Sequence, residues 1–284
     1  MGANAISLVV HWHQSDTTAI RLTPGKLTPT DSAVIDAIAG AHRHGLQVLL
    51  FPIVWVEARS QGQWRGTLRP RNVDVWWHAY EQFIIHYARI AATTQAAWLS
   101  IGSELGSTET WRDRWFHLVG RLERIGTFKM LYSANWDHFS QVSFWRRIDA
   151  IGVNGYIPLT TNASATEQSM TTAWGQAATH LTQLAKRANK PLILTEVGYL
   201  SRDGAAVAPW NYTQSAALDL EEQRRAYAAF SATWLARRDL SGVIFWDWNG
   251  HGGIKDRGYT PRGKPAEAIV RRFFQHRSKF PGNS

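Results

Sequence analysis

The 284-residue chain contains no cysteine, which excludes disulfides, thiolate nucleophiles and sulfur-bound metals together. No stretch supplies the roughly 18 uninterrupted apolar residues that a membrane-spanning helix needs. The opening MGANAISLVVHWHQ has no basic leader and no small-residue cleavage site, so no signal peptide is read in it. A start further upstream would leave room for one, and the compartment stays open. Short repeats and low-complexity linkers are also missing. Acidic residues are scarce: 22 Asp and Glu stand against 31 Lys and Arg, for a net charge of +9. Residues 255–284 hold net +6 of that excess, including Arg271, Arg272, Arg277 and Lys279. Such a segment reads as a solvated terminal helix. A nucleic-acid role would rest on charge alone, because no recognition motif accompanies it.

What the chain does have is tryptophan, 15 of them, many beside polar residues at the ends of apolar runs, where a flat ring suits binding. The apolar runs themselves are Ala5–Trp12, Gln47–Val56, Ala97–Ser103, Lys129–Trp136, Asp149–Tyr156, Pro191–Val197 and Ser241–Trp248. They are continuous rather than alternating, as parallel strands covered on both faces require. Between them lie helix-period segments near 29–45, 73–90, 110–125, 166–188 and 219–237, and a last one at 264–277. In the first, Thr28 reads as the N-cap with Pro29 behind it, Val34, Ile35, Ile38 and Ala41 as the buried stripe, and Gly45 as the stop. Strands alternating with helices throughout predict one α/β domain over residues 1–284.

Seven strands are evident where a closed (β/α)8 TIM barrel has eight. The C-terminal helix completes that end, whereas the chain begins almost inside a strand. The expectation is a TIM barrel lacking its first βα unit, with residues 1–12 as the second barrel strand. A doubly wound sheet is the alternative, but no glycine-rich phosphate turn follows any strand.

In parallel barrels the chemistry collects at the C-terminal strand ends. There the sequence places Trp12 and His13, Trp55 and Glu57, Ser103 and Glu104, Asn135, Trp136 and Asp137, Asn154 and Tyr156, Glu196, and Trp246, Asp247 and Trp248. Neither a metal-spaced His cluster nor a serine nucleophile elbow is among them, so no metal or organic cofactor is expected. Glu104 and Glu196 each end an apolar strand directly, in IGSE and LILTE. Paired carboxylates are what glycoside hydrolysis needs: one protonates the leaving oxygen, and the other attacks or activates water. Trp210 and Trp248, beyond strand ends, suit sugar platforms, while Trp136 and Trp246 fit either barrel packing or a subsite. His13 fits a hydrogen-bonding satellite better than a catalyst. Glu57, Asp137 and Asp247 are rival carboxylates, set in more open sequence and better suited to sugar hydroxyls.

The segments IGSELGSTETWR, YSANWDHFSQVSFWRRIDAIGVNGYIPL, PLILTEVGYLSRDGAAVAPWNY, LEEQRRAYAAF and GYTPRGKPAEAIVRRFF together resemble glycoside hydrolase family 113, a β-mannanase family of the retaining (β/α)8 clan. The resemblance runs from about Gly2 to Phe274 and sets the opening run at the family's second strand. It implies Glu104 as general acid/base, Glu196 as nucleophile and Tyr156 as a hydrogen-bond donor to the nucleophile or sugar. Asn135, Asn154, Trp12, Trp246 and Trp248 would line the subsites. Two departures stand out: Ser103 holds a position that is Asn in many barrels of the clan, and LFPIVWVEARSQGQWRG lacks the Lys/His-bearing stretch of mannan-cleaving members. The expected activity is retaining hydrolysis of a β-linked hexose polysaccharide or oligosaccharide. A non-catalytic carbohydrate-binding barrel is the other reading.

Overall fold

The structure is a computed structural model, and it describes residues 2–162, 164–213 and 215–277. Met1 of the opening run and Lys279 of the basic tail lie outside the described residues. The described chain divides into two compact units, residues 4–152 and residues 153–277 with Gly2 and Ala3.

In the first unit, β1 (Ala5–Gln14) and β2 (Gln47–Val56) pair in parallel along their whole length, from Ala5 opposite Gln47 to Gln14 opposite Val56. Strands β3 (Trp98–Ser103) and β4 (Lys129–Asn135) follow in order, and β5 (Ala150–Asn154) runs on into the second unit. Helices α1 (Asp31–Arg43), α2 (Val73–Thr94) and α3 (Arg112–Leu122) lie between the strands. The period-2 geometry of a strand sends neighbouring side chains to opposite faces. On β1, Trp12 therefore meets α2, its ring 5.2 Å from Phe83 and 5.5 Å from His86. His11 and His13 take the other face with Trp55, at ring separations of 5.7 and 6.4 Å.

The second unit holds the end of β5, α4 (Glu167–Ala188), β6 (Leu192–Val197), α5 (Leu220–Trp234), β7 (Gly242–Phe245) and α6 (Pro265–His276). Strands β6 and β7 are parallel, with Ile193 opposite Gly242. Thr166 and Asp219 cap α4 and α5 with their side-chain oxygens, and Asn189 ends α4 in the left-handed conformation, at φ 51°. Both ends are stopped by residues whose short polar side chains compete for backbone hydrogen bonds.

Seven strands are present among the described residues, as expected, and every expected helix forms. The start of α1 differs. Thr30, not Thr28, accepts the capping bond from Ala33 N. The Thr28 hydroxyl instead donates to His11 O at 2.7 Å, tying the loop before α1 to β1. Ile35 was expected to be buried but is exposed, because it lies about 100° round the helix from Val34, outside the buried stripe of Val34, Ile38 and Ala41.

Much of the tryptophan is core. Trp76, Trp77, Trp98, Trp115, Trp145, Trp174 and Trp234 are buried. In the first unit Trp115 stacks on Phe144 at 4.5 Å and meets Trp77 edge-on at 5.1 Å. Such ring pairs contribute about 0.5–1.5 kcal/mol beyond their area. No helix of the described residues is long and apolar enough to cross a membrane.

Candidate active site

Strand β3 delivers Glu104. Its backbone N–H donates to Ser133 O at 2.8 Å, prolonging the contact with β4. The residue then turns left-handed, at φ 54°, a conformation that costs a non-glycine residue about 1–2 kcal/mol. The surroundings hold it there. Leu105 N donates to the Tyr132 hydroxyl at 2.8 Å, and that hydroxyl donates to Glu109 Oε1 at 2.8 Å. The Thr108 hydroxyl closes onto Leu105 O. The side chain of Glu104 is buried, and its Oε2 accepts from Arg65 Nη2 at 2.5 Å.

Glu109 is fully buried. Burial pushes its carboxyl from 4.5 up to about 7, helped by the charges of Asp137 and Glu104 and opposed by the Tyr132 hydrogen bond and His138. The groups supporting Glu104 thus include a second acid that titrates near neutrality.

In the second unit β6 delivers Glu196, also buried. Both carboxylate oxygens accept hydrogen bonds, Oε1 from Asn154 Nδ2 at 3.1 Å and Oε2 from the Tyr156 hydroxyl at 2.7 Å. The Asn154 amide is itself fixed, since the Thr195 hydroxyl donates to its Oδ1 at 2.8 Å. Gly155 N donates to Glu196 O at 2.6 Å, tying the end of β5 to β6. Beyond Glu196, Gly198 lies so close to the backbone of Trp246 that a Cβ there would sit 2.1 Å from Trp246 O. Only glycine fits. Trp246 N donates to Val197 O at 2.8 Å, so that close approach extends the pairing of β6 with β7.

The remaining candidates divide by placement. Asn154 and Tyr156 touch Glu196 directly. Asn135 donates to Asp137 Oδ1 at 2.7 Å, and Trp136 beside it is half-buried, as is Trp246. Trp210 and Trp248 are exposed, at 45% and 49%. Trp12 sits differently: its ring packs on α2, on the opposite face of β1 from His13. The alternation of the strand decides this, and the continuous apolar run conceals it. His13 is buried with Nδ1 3.2 Å from Glu57 Oε1, and both border a cavity of about 450 Å³ with Gln14, Arg21 and Arg71. Asp247 is shifted upward by burial.

Arg65, Glu109 and Tyr132 escaped the sequence reading. Arg65 comes from a loop, and Tyr132 lies inside an apolar run where it reads as core. Glu109 had a readable signal, a second acid five residues after the first in ELGSTE.

Among the described residues one acidic group could hold a metal ion, Asp203, Asp219 and Glu222. Its most buried member is already engaged, because Glu222 accepts from Gly204 N and Ala206 N, each at 2.8 Å.

The family model of Glycoside Hydrolase Family 113 matches residues 2–264. No curated protein matches. Among solved structures, the GH113 β-mannanase AaManA from Alicyclobacillus acidocaldarius, in complex with ManMIm, is 26% identical with a TM-score of 0.87, covering 97% of this chain and 88% of that one. A GH113 β-1,4-mannanase is 24% identical at the same TM-score, over 96% and 88% of the two chains. Fungal β-1,4-galactanases are similar at 14% identity and a TM-score of 0.57, over 95% and 88%. These likenesses show the TIM-barrel type of α/β fold, here with seven parallel strands among the described residues.

Proposed function

From a chain that belongs to glycoside hydrolase family 113, we infer a retaining β-glycosidase that cleaves a β-linked hexose polysaccharide or oligosaccharide, mannan-like by family. The observation that carries the reading is the setting of Glu196: a strand-end carboxylate, buried, with both oxygens held by donors. A nucleophile needs that kind of fixed aim.

The reaction follows in two steps. Glu196 attacks the anomeric carbon while Glu104 protonates the departing glycosidic oxygen, so one C–O bond forms as the other breaks. Water then attacks the same carbon. Glu104, now a carboxylate, takes its proton, and Glu196 leaves with its charge restored. Asn154 and Tyr156 orient the nucleophile, and Thr195 fixes the amide of Asn154. Asn135, Trp136, Trp210, Trp246 and Trp248 serve as sugar contacts, and His13 as a hydrogen-bonding group. The packing of Trp12 on α2 gives that residue a supporting role in our reading. Residues 2–264, matched by one family model, act as one catalytic domain.

The test is Glu196→Ala and Glu104→Ala on β-mannan, β-glucan, xylan and amino-sugar oligomers. Each substitution is expected to lower turnover at least about a hundredfold. Retention is read from the anomer first released, by proton NMR. Full activity in either variant, or release of the inverted anomer, overturns the assignment. Binding of an oligosaccharide with no hydrolysis by the intact chain would point instead to a carbohydrate-binding barrel.

A further inference from the structure

In the second unit the loop between β6 and α5 carries Trp210, and the loop between β7 and α6 is fastened to it. Ser201 N donates to Gly258 O at 3.3 Å. Lys264, with a fully buried side chain, pairs with Asp256 Oδ1 at 2.7 Å and donates from Nζ to Ser201 Oγ at 2.7 Å and to Gly258 O at 2.9 Å. From α5, Gln223 Nε2 donates to Tyr259 O at 3.1 Å. The backbone of Tyr259 thus stands on a fixed footing.

From that footing its side chain reaches in two directions. The ring lies edge-on to the ring of Tyr156, their centres 6.1 Å apart, a spacing at which aromatic pairs attract. Tyr156 is the donor to Glu196 Oε2. The Tyr259 ring also passes over the backbone after Glu196, where a Cβ on Gly198 would sit 3.1 Å from Tyr259 Cδ1. At the far end the Tyr259 hydroxyl donates to Pro209 O at 2.6 Å. Pro209 is buried and directly precedes Trp210. Proline has no N–H, so this carbonyl is its one backbone hydrogen-bonding group. A buried carbonyl stripped of its donor is destabilised. Burial, with the charge of Glu196 next, pushes the Tyr259 hydroxyl up, so the hydroxyl stays protonated and remains a donor. A phenol is rigid from Cβ to oxygen, so what it touches at one end is held at a set distance from what it touches at the other.

We propose that Tyr259 is a positioning residue, a strut that sets where the Trp210 platform stands relative to Glu196 and so fixes the binding of long oligosaccharides. The proposal rests on the reading of Glu196 as nucleophile and Trp210 as a sugar contact. A displaced platform weakens only those chains long enough to lie on both, because a short one never reaches it.

The probes are mannotriose and mannohexaose, with cellotriose and cellohexaose beside them. Binding is measured by calorimetry in Glu196→Ala, where hydrolysis does not interfere. Adding Tyr259→Phe keeps the ring and removes the hydroxyl. The affinity for the long oligosaccharide is expected to fall about five- to tenfold relative to the short one. Trp210→Ala lowers the same ratio, and Tyr259→Phe on top of it lowers the ratio no further, since both act through one contact. Tyr259→His, whose ring donor stops short of Pro209 O, takes the place of Tyr259→Phe if that variant does not fold by circular dichroism. In the otherwise intact chain Tyr259→Ala also removes the ring beside Tyr156, so kcat falls on both lengths, and Tyr259→Phe recovers that loss. Equal weakening of short and long oligosaccharides by Tyr259→Phe, additive losses with Trp210→Ala, or no binding of either long oligosaccharide overturns the proposal. If Glu104→Ala and Glu196→Ala abolish turnover while the length ratio stays put in Tyr259→Phe, the strut falls and the glycosidase reading stands. If they leave turnover unchanged while the ratio falls, the catalytic assignment fails and Tyr259 remains the residue that places the platform.

Discussion

The Tyr156 hydroxyl donates to Glu196 Oε2 across 2.7 Å, while Asn154 Nδ2 holds the other oxygen at 3.1 Å. A hydrogen bond to a charged group is worth about 1.5–3 kcal/mol. Tyr156→Phe removes one such bond and leaves the ring. Turnover is expected to fall about 10- to 100-fold, with the melting temperature little changed. An unaltered kcat would show that Tyr156 does not hold the reacting carboxylate.

Glu109 predicts a pH effect on stability. Its folded carboxyl is raised from 4.5 to about 7, so the folded chain keeps a proton that the unfolded chain releases. The stabilisation is complete below about pH 4.5 and is lost as pH rises through about 7, a change on the order of 3 kcal/mol. Glu109→Gln mimics the neutral acid at every pH. Its melting temperature should match the parent near pH 4 and exceed it at pH 8. A difference that stays flat over that range would disprove the shift.

Gly198→Ala places a methyl group 2.1 Å from Trp246 O. The obstacle is backbone and cannot rotate away, so β6 or the chain after β7 must move. The expected cost is about 1–3 kcal/mol or more, read by urea titration. A variant as stable as the parent would mean that the two segments part easily.

Glu222 is buried at the start of α5 and accepts from Gly204 N and Ala206 N. Glu222→Ala leaves two N–H groups without their acceptor, at a cost of about 2 kcal/mol or more. Glu222→Gln retains one acceptor oxygen and should lose about half as much. Equal stability of the two variants would contradict this account.

The strand ends were legible in the sequence because parallel strands are apolar until they reach the end that carries the chemistry. Glu104 and Glu196 broke such runs and were readable for that reason. The side of the strand was harder to read. The run Leu8 to Val10 is apolar on both faces, so nothing in it told that Trp12 would meet Phe83 while His13 turned the other way. The helix stop at Gly45 was legible because left-handed geometry restricts the choice of residue, whereas the cap of α1 was misplaced, because Pro29 after Thr28 reads as a helix start although Thr30 makes the capping bond. Arg65 was hidden for another reason. It comes from the loop after β2, and the contact of a loop residue with Glu104 is something that no periodicity reports. Tyr132 was concealed by its strand, where a ring reads as core and its hydroxyl goes unnoticed.

Three hydrogen bonds around Glu196 run one way. Thr195 gives its hydrogen to Asn154, Asn154 gives one to the carboxylate, and Tyr156 gives another. These three groups are thus spent as givers, and the carboxylate meets them with lone pairs. A visiting molecule is met on the same terms: it gains by presenting a hydrogen and loses by presenting a bare oxygen. Sugars present hydroxyls at nearly every ring carbon, whereas carbonyl groups and ethers have none to give, so this small relay sorts its visitors by polarity before any bond is broken.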